Sequence, residues 1–356
     1  MKRLSLLTHS PIEFYFNQNP KDFVVTEVPL YEFSGEGEHL VLKVAKRGLS
    51  THELLNTLSS SAHIPIKEIG YAGLKDKQAY TIQHISLPKK YEKSLEYLSD
   101  ENIKILERTL HKNKLKTGHL KGNHFFIRIK KLNPTDASKV TSIIESIRRY
   151  GFANYFGYQR FGRDGDNAKE GKIVAQNQRG RVNYKKEFLI NAYQSELFNN
   201  WLAKRVEISK IVNSMSAKEA SEALMLESET IKLLGEQSHL FKLFAGDVMC
   251  HYPHGRLFGD DDVLELASRF EAKTISPTGL LCGKKCEFSK DKAWEVEKEY
   301  IDENIKLSGV RRYAWVWAEN LEFTYKQSEA WGELSFYLPK GCYATTLLEQ
   351  IKGGEL

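Results

Sequence analysis

The sequence predicts an α+β chain whose two ends share one sheet around an inserted middle. Three observations carry this expectation: strand and helix signals alternate over residues 1–150, the strand signal thins between Gly151 and Arg312, and an alternating pattern returns at Glu333-Leu-Ser-Phe-Tyr-Leu338. A strand needs neighbours, so the tail is expected to rejoin the first sheet. The expected organisation is one domain from 1–150 and 313–356, interrupted by a second at 151–312.

Val24-Val25-Thr26-Glu27-Val28 and Leu40-Val41-Leu42-Lys43-Val44 flank the turn-like Ser34-Gly35-Glu36-Gly37, which predicts neighbouring strands. Ser50-Thr51-His52-Glu53 is a capping box, and Leu54, Leu55 and Leu58 behind it make a short amphipathic helix. Residues 81–87 and 103–106 read as strands, with a helix over 91–98 between them. From His124 to Lys131 the alternation sets Phe125, Ile127 and Ile129 on one face and Phe126, Arg128 and Lys130 on the other. One face should pack and the other should be basic. Asn133-Pro134-Thr135 marks a helix start, followed by Val140, Ile143, Ile144 and Ile147 at helical spacing. In the middle, residues 187–206 read as a long helix with Leu189, Tyr193, Leu197 and Trp201 on one stripe. Residues 217–229 read as an acidic surface helix.

With 356 residues, 41% hydrophobic and 28% charged, the chain is globular and long enough for two cores, which excludes a disordered tail or a fibre. Lys and Arg total 52 against 46 Asp and Glu, and the excess is clustered. Arg108 to Lys131 holds eight basic residues and no Asp or Glu, with His111, His119, His124, Phe125 and Phe126 interleaved. A polyanion is the expected partner. Cysteines 250, 282, 286 and 342 form no disulfide framework, and reduced thiols in a cytoplasmic protein account for them. Cys282 and Cys286 are one residue too far apart for the usual zinc knuckle, and only Cys250-His251 could complete such a set. No apolar run reaches membrane-spanning length and no secretory leader pattern opens the chain, so neither is expected.

The chemistry concentrates at Gly70-Tyr-Ala-Gly-Leu-Lys-Asp-Lys-Gln-Ala79, where Asp76 stands between Lys75 and Lys77. Glycines allow sharp turns and close approach, and flanking cations favour the ionised carboxylate that can attack carbon or accept a proton. Asp76 is the candidate nucleophile; the competing reading is a hairpin tip with solvated charges. Gly157 to Asn167 is rich in glycine and arginine but lacks the ending of a P-loop and the dinucleotide fingerprint, so no nucleotide cofactor is expected. Asp260, Asp261 and Asp262 suit an acidic helix start better than a metal site, since adjacent side chains rarely converge on one ion. The histidines of the basic segment lack the partners of a triad. Lys121-Gly-Asn-His-Phe125 enters a strand where an amide could bond a base edge and a ring could stack on a base, although Phe125 also reads as a core phenylalanine. Together these features suggest chemistry on a base within RNA.

Over nearly its whole length the chain resembles the TruD family of tRNA pseudouridine synthases. The resemblance rests on Asn19-Pro-Lys-Asp-Phe-Val-Val-Thr-Glu27, Gly35-Glu-Gly-Glu-His39, Gly70 to Thr81, His111-Lys-Asn-Lys-Leu115 and Gly118 to Phe125. It continues through Asn154-Tyr-Phe-Gly-Tyr-Gln-Arg-Phe-Gly162, Pro277-Thr-Gly279 and Leu338 to Thr345. It implies a catalytic domain with a mixed, mainly antiparallel sheet, interrupted by a family-specific insertion domain. The implied reaction converts a D-arm-region uridine of tRNA, conventionally numbered 13, to pseudouridine without a cofactor or metal. Matched motif by motif, Asp76 takes the place of the catalytic aspartate, Phe23, Asn123 and Tyr343 line the uridine pocket, Phe125 is the active-site aromatic and Lys75 the basic neighbour of the nucleophile. A cytoplasmic monomer is expected, with tRNA as partner. Two departures stand out: Asn17 occupies a position where many members carry lysine, and Tyr343 one where some carry phenylalanine. A noncatalytic tRNA-binding protein and a metal-dependent nuclease on Asp260 to Asp262 fit parts of the same pattern.

Overall fold

The computed structural model describes residues 3–162, 164–177, 180 and 182–356. The strands of the first part are β1 (Phe23–Pro29), β2 (His39–Lys46), β3 (Gly70–Tyr71), β4 (Tyr80–Pro88), β5 (Ile103–His111) and β6 (Leu120–Lys130), with helices α1 (Thr51–Ala62) and α2 (Pro134–Tyr150). The middle holds β7 (Phe152–Ala153), α3 (Asn167–Gln176), α4 (Tyr184–Ser214), α5 (Ala217–Leu224), α6 (Ser228–Gly235), β8 (Met249–His251), β9 (Leu257–Phe258), α7 (Val263–Glu271), β10 (Ile275–Leu281) and α8 (Asp291–Glu297). The chain ends with β11 (Val310–Tyr313), β12 (Trp315–Val316), β13 (Glu319–Lys326), β14 (Trp331–Pro339) and α9 (Ala344–Lys352). The described residues fall into two compact units, one of 12–144 and 318–341, the other of 3–11, 145–317 and 342–356.

The first unit is built on a sheet ordered β13-β14-β6-β1-β4-β2-β5, with β3 added at β4. Only β1 and β4 run parallel; every other pairing is antiparallel, the mixed, mainly antiparallel sheet that was expected. The C-terminal strand does rejoin the sheet: β14 pairs with β6 along Trp331–Pro339. β1 and β2 are not neighbours, because β4 lies between them. The turn-like segment does not close a hairpin. Gly35 N–H bonds Leu110 C=O at 3.0 Å, and a side chain at Gly37 would strike the His111 backbone, so the connection is held at the end of β5.

Local chemistry explains the elements that position the site. Ser50 and Glu53 cap α1 reciprocally, and Leu54, Leu55 and Leu58 bury against Leu42, Val44 and Ile85 of the sheet. In β6, Phe125, Ile127 and Ile129 are buried while Phe126, Arg128 and Lys130 are half-buried. That second face is less free than its composition suggests, since Arg128 pairs with Asp22 and Glu333, and Lys130 with Asp22. Residues 89–97 form 3₁₀ turns rather than an α-helix.

The other unit contains a sheet ordered β11-β10-β8-β9, which its sequence barely announces. β8 and β9 are very short, and β10 contains Pro277 and Gly279, residues that read as breakers. Gly279 has a packing reason: a Cβ there would enter the Trp201 and Phe198 rings of α4. α4 extends well beyond the expected 187–206, and its stripe residues Leu189, Tyr193 and Trp201 are buried. Residues 217–229 divide into α5 and the start of α6. No helix among the described residues is long and apolar enough to cross a membrane.

Candidate active site

Asp76 lies in the connection between β3 and β4, and the backbone of this turn is fastened by residues from three elements. Lys75 N–H donates to Thr51 Oγ1 at 2.8 Å in the first turn of α1, and the Thr51 hydroxyl donates to Gln83 Oε1 of β4 at 3.2 Å. Lys46, at the end of β2, donates from Nζ to the Asp76 carbonyl at 3.1 Å and to the Leu49 carbonyl at 2.6 Å. Gly118 N–H reaches the Ala72 carbonyl at 2.7 Å. At Gly70 a Cβ would collide with Ser86 Oγ and the Leu115 carbonyl, so the motif's first glycine serves close approach.

The Asp76 side chain is exposed. Protein packed on its inner side raises the carboxyl above its ordinary value, and the Lys46 and Lys75 ammoniums pull it back down. Its open side stays hydrated, which limits both effects. This corrects the expectation that Lys75 and Lys77 together favour ionisation. Lys77 instead pairs with Glu53 at 2.6 Å, Lys46 takes its place, and burial outweighs the two cations.

Beneath the turn, Lys75 Nζ donates to Asn123 Oδ1 of β6 at 2.8 Å and lies 3.1 Å from Glu27 Oε2 of β1. Glu27 Oε1 accepts the His84 N–H at 3.0 Å and lies 3.2 Å from His84 Nδ1. Burial alone would raise the Glu27 carboxyl, but the His84 bonds and the Lys75 charge hold it below the usual range. Phe23 and Phe125 stack with centroids 6.3 Å apart and planes 10° apart, and Phe336 covers Phe125 on its other flank at 5.3 Å. At 7% exposure, Phe125 packs as a core ring in this structure. The Asn-Pro-x-Asp-Phe motif sets the start of β1, through Asn19 Nδ2 donating to Asp22 Oδ2 at 2.7 Å.

The structure thus brings Phe23, Lys75, Asp76, Asn123 and Phe125 together in one unit. Tyr343 belongs to the other unit, where it precedes α9 and packs on Phe156 with centroids 5.9 Å apart. There the Arg312 guanidinium lies 3.9 Å from the Phe156 ring centre and donates to Asn154 Oδ1 at 2.9 Å. Arg163, within the loop Gly157 to Asn167, lies outside the described residues. Asp260 to Asp262 serve as a helix start: Asp262 Oδ1 accepts the N–H groups of Leu264 and Glu265. Among the described residues no group of His, Cys, Asp and Glu is arranged to hold a metal.

Sequence reasoning missed Lys46, Thr51 and Glu27 as parts of the site. Two of them carry a readable signal. Glu27 shares the phase of Phe23 and Val25, and Lys46 that of Leu42 and Val44, so each sets a charge at an inward position of an apolar strand.

The family model described as tRNA pseudouridine synthase D (TruD) matches residues 3–183 and 181–351. The chain belongs to this family. It is 52% identical to the tRNA pseudouridine synthase D of Nitratiruptor sp. over 99% of its length and 98% of that protein. It is 50% identical to that of Wolinella succinogenes over 100% and 99% of the two chains. A solved structure from Methanosarcina mazei, described as a tRNA pseudouridine synthase D (TruD), superposes with a TM-score of 0.62 at 20% identity, covering 99% of this chain and 96% of that one. That likeness bears on the fold, and family membership places the chain among isomerases.

Proposed function

We propose that this chain isomerises a uridine in the D-arm region of tRNA, position 13 in the family's convention, to pseudouridine, with Asp76 as nucleophile. The observation that carries the reading is an exposed carboxylate on a turn whose neighbouring lysine is bonded to Asn123 and Glu27 underneath. A nucleophile must meet substrate, and a fastened backbone keeps it near attack geometry. In this reading Phe23, Asn123 and Tyr343 contact the uridine, Phe125 is the active-site aromatic and Lys75 the basic neighbour of the nucleophile, each by its place in the family's motifs. Residues 1–150 and 313–356 form the catalytic domain, and residues 151–312 hold the family's insertion. The chain acts as a cytoplasmic monomer.

The reaction breaks the bond between ribose C1′ and uracil N1, turns the base, and rejoins it through C5. Atoms and electrons balance within the substrate, so no redox or group carrier is needed. Asp76 attacks the uracil ring or C1′, and the base stays enclosed while it turns. The Asp76–carbon bond breaks as or after C1′ joins C5, the C5 proton leaves to Asp76 or to water, and N1 takes up a proton in its place. Eversion of the uridine costs a few kcal/mol of stacking, of the same order as the roughly 1–3 kcal/mol that an aromatic contact returns.

The test is mass spectrometry of tRNA from cells lacking the gene, complemented with the native or the substituted protein. Asp76→Asn should leave the target uridine unmodified while purified protein retains tRNA affinity. Restoration of pseudouridine by Asp76→Asn would overturn the assignment.

A further inference from the structure

Adjoining the Asp76 turn, the β5–β6 connection and the residues after β1 line an open cavity of about 630 Å³ whose walls include Tyr31, Glu32, His111, Lys114, Lys116 and His119. This lies within the roughly 300–1,000 Å³ of small-ligand sites. The lining is aromatic and basic at once. Tyr31 stacks on His111 with centroids 5.1 Å apart and planes 24° apart, and meets His119 edge-on at 5.7 Å.

The hydrogen bonds settle which ring nitrogens can serve a ligand. His119 Nδ1 takes the Lys116 N–H at 3.4 Å and lies 2.9 Å from the Tyr31 hydroxyl, so Nδ1 is the acceptor and Nε2 carries the proton. His111 is held alike, with the Ser34 N–H and hydroxyl each 3.3 Å from Nδ1. Two Nε2–H donors remain that bond to no described residue. Lys116 is exposed and joins no ion pair among the described residues, whereas Lys114 donates to the Lys67 carbonyl. Glu32 is also exposed, and its charge disfavours a second phosphate beside the first.

We propose that this cavity is a subsite for one unpaired nucleotide of the RNA substrate, resting on the isomerase reading above. The base packs against Tyr31, and a single phosphodiester meets Lys116 and the imidazole Nε2–H donors. The subsite is joined to the catalytic turn by the Gly118 to Ala72 backbone bond, and Leu115 N–H to Ser86 Oγ at 2.9 Å anchors the same connection on β4. A nucleotide captured here is therefore held by the same segment that supports the Asp76 turn.

The experiment measures binding of a labelled tRNA transcript to the full chain by fluorescence anisotropy across a salt series, with uridine monophosphate as competitor. Tyr31→Ala should weaken binding about tenfold, as loss of one base stack does, while Tyr31→Phe should stay within about twofold. Lys116→Ala should reduce the slope of log affinity against log salt by about one. Because Lys116 is exposed, this variant tests the proposal even if Tyr31→Ala does not fold. Unchanged affinity in folded Tyr31→Ala, or an unchanged salt slope in Lys116→Ala, overturns the subsite while leaving the isomerase reading intact. Uridine monophosphate binding as tightly as tRNA would mark a free-nucleotide site and also overturns it. Failure of the unsubstituted chain to bind tRNA overturns the isomerase reading, and the subsite with it.

Discussion

The Lys75 ammonium lies 2.8 Å from Asn123 Oδ1 and 3.1 Å from Glu27 Oε2, so one buried cation joins β1, β6 and the turn that carries Asp76. Buried charges are tolerated only when paired, and here the pairing also aims an amide. Glu27 is buried in this arrangement; it holds the residue that holds Asn123.

Removing one side of this pair should cost more than removing both. Lys75→Met leaves the Glu27 carboxylate buried without its cation, and should lower the unfolding free energy by about 3–5 kcal/mol. Adding Glu27→Gln should recover part of that loss while pseudouridine formation stays depressed, because Asn123 is still unaimed. Urea unfolding of the two single variants and the double variant, beside single-turnover rates, checks both halves. A double variant no more stable than Lys75→Met would sink the argument.

Lys46 gives the site an alkaline limit. Burial lowers its ammonium to about 8, with the Asp76 charge opposing that fall and the Lys75 charge adding to it. Below that pH the ammonium is present and its charge strengthens the bond to the Asp76 carbonyl that fixes the turn; as pH rises through about 8 that charge is lost. The rate of isomerisation should therefore decline on that limb. Lys46→Arg should move the limb upward, since a guanidinium keeps its proton. A pH–rate profile that is unaltered in Lys46→Arg rules out this role.

How much of this was legible in the sequence depended on whether the deciding contacts were local. The capping box of α1 and the alternation of β6 are written in adjacent residues, and both were readable. So was the acidic start of α7. The separation of β1 from β2 was not, because it depends on β4 entering between them from beyond the Asp76 turn. β10 was hidden by Pro277 and Gly279, and the fit of Gly279 is visible only once Trp201 is placed over the strand. Asp76 itself stood out by its flanking lysines, yet its partners did not. Lys77 looked equivalent to Lys75 until Glu53 drew it away, and Lys46 lies thirty residues earlier on another strand.

His239 makes the unit that contains residues 145–317 sensitive to acid. It is 1% exposed; its Nδ1 accepts the Phe241 N–H at 3.0 Å and its Nε2 lies 2.9 Å from the Tyr150 carbonyl. Burial pushes its pKa down from 6.5 to about 4. The folded state thus binds fewer protons than the unfolded one between those values, so this contribution is fully present above pH 6.5 and drains away as pH falls to about 4. The loss should reach about 3 kcal/mol at the acid end. His239→Gln keeps one donor and one acceptor but cannot titrate. Its melting temperature should therefore fall less than the native chain's between pH 6.5 and 4; parallel curves would contradict the assignment.

The Arg205–Asp247 pair offers the sharpest stability test. Arg205 on α4 and Asp247 are both buried and joined by two hydrogen bonds of 2.7 Å, and Arg205 Nη2 also donates to the Lys242 carbonyl at 3.1 Å. Asp247 Oδ2 further accepts the Phe244 N–H at 2.8 Å, so the carboxylate ties the helix to the loop before β8. Around the guanidinium stand the rings of Trp201, Phe241 and Phe244. With both side chains buried, solvent does not replace a lost partner. Asp247→Ala should therefore cost about 3–5 kcal/mol, most of it the penalty of an unpaired buried cation. Arg205→Met with Asp247→Ala should cost less than the sum of the singles, because the methionine refills the aromatic cage while neither charge is stranded. A double-mutant cycle by urea unfolding reads this coupling directly. Additive losses would mean that Asp247 and Arg205 do not stabilise one another.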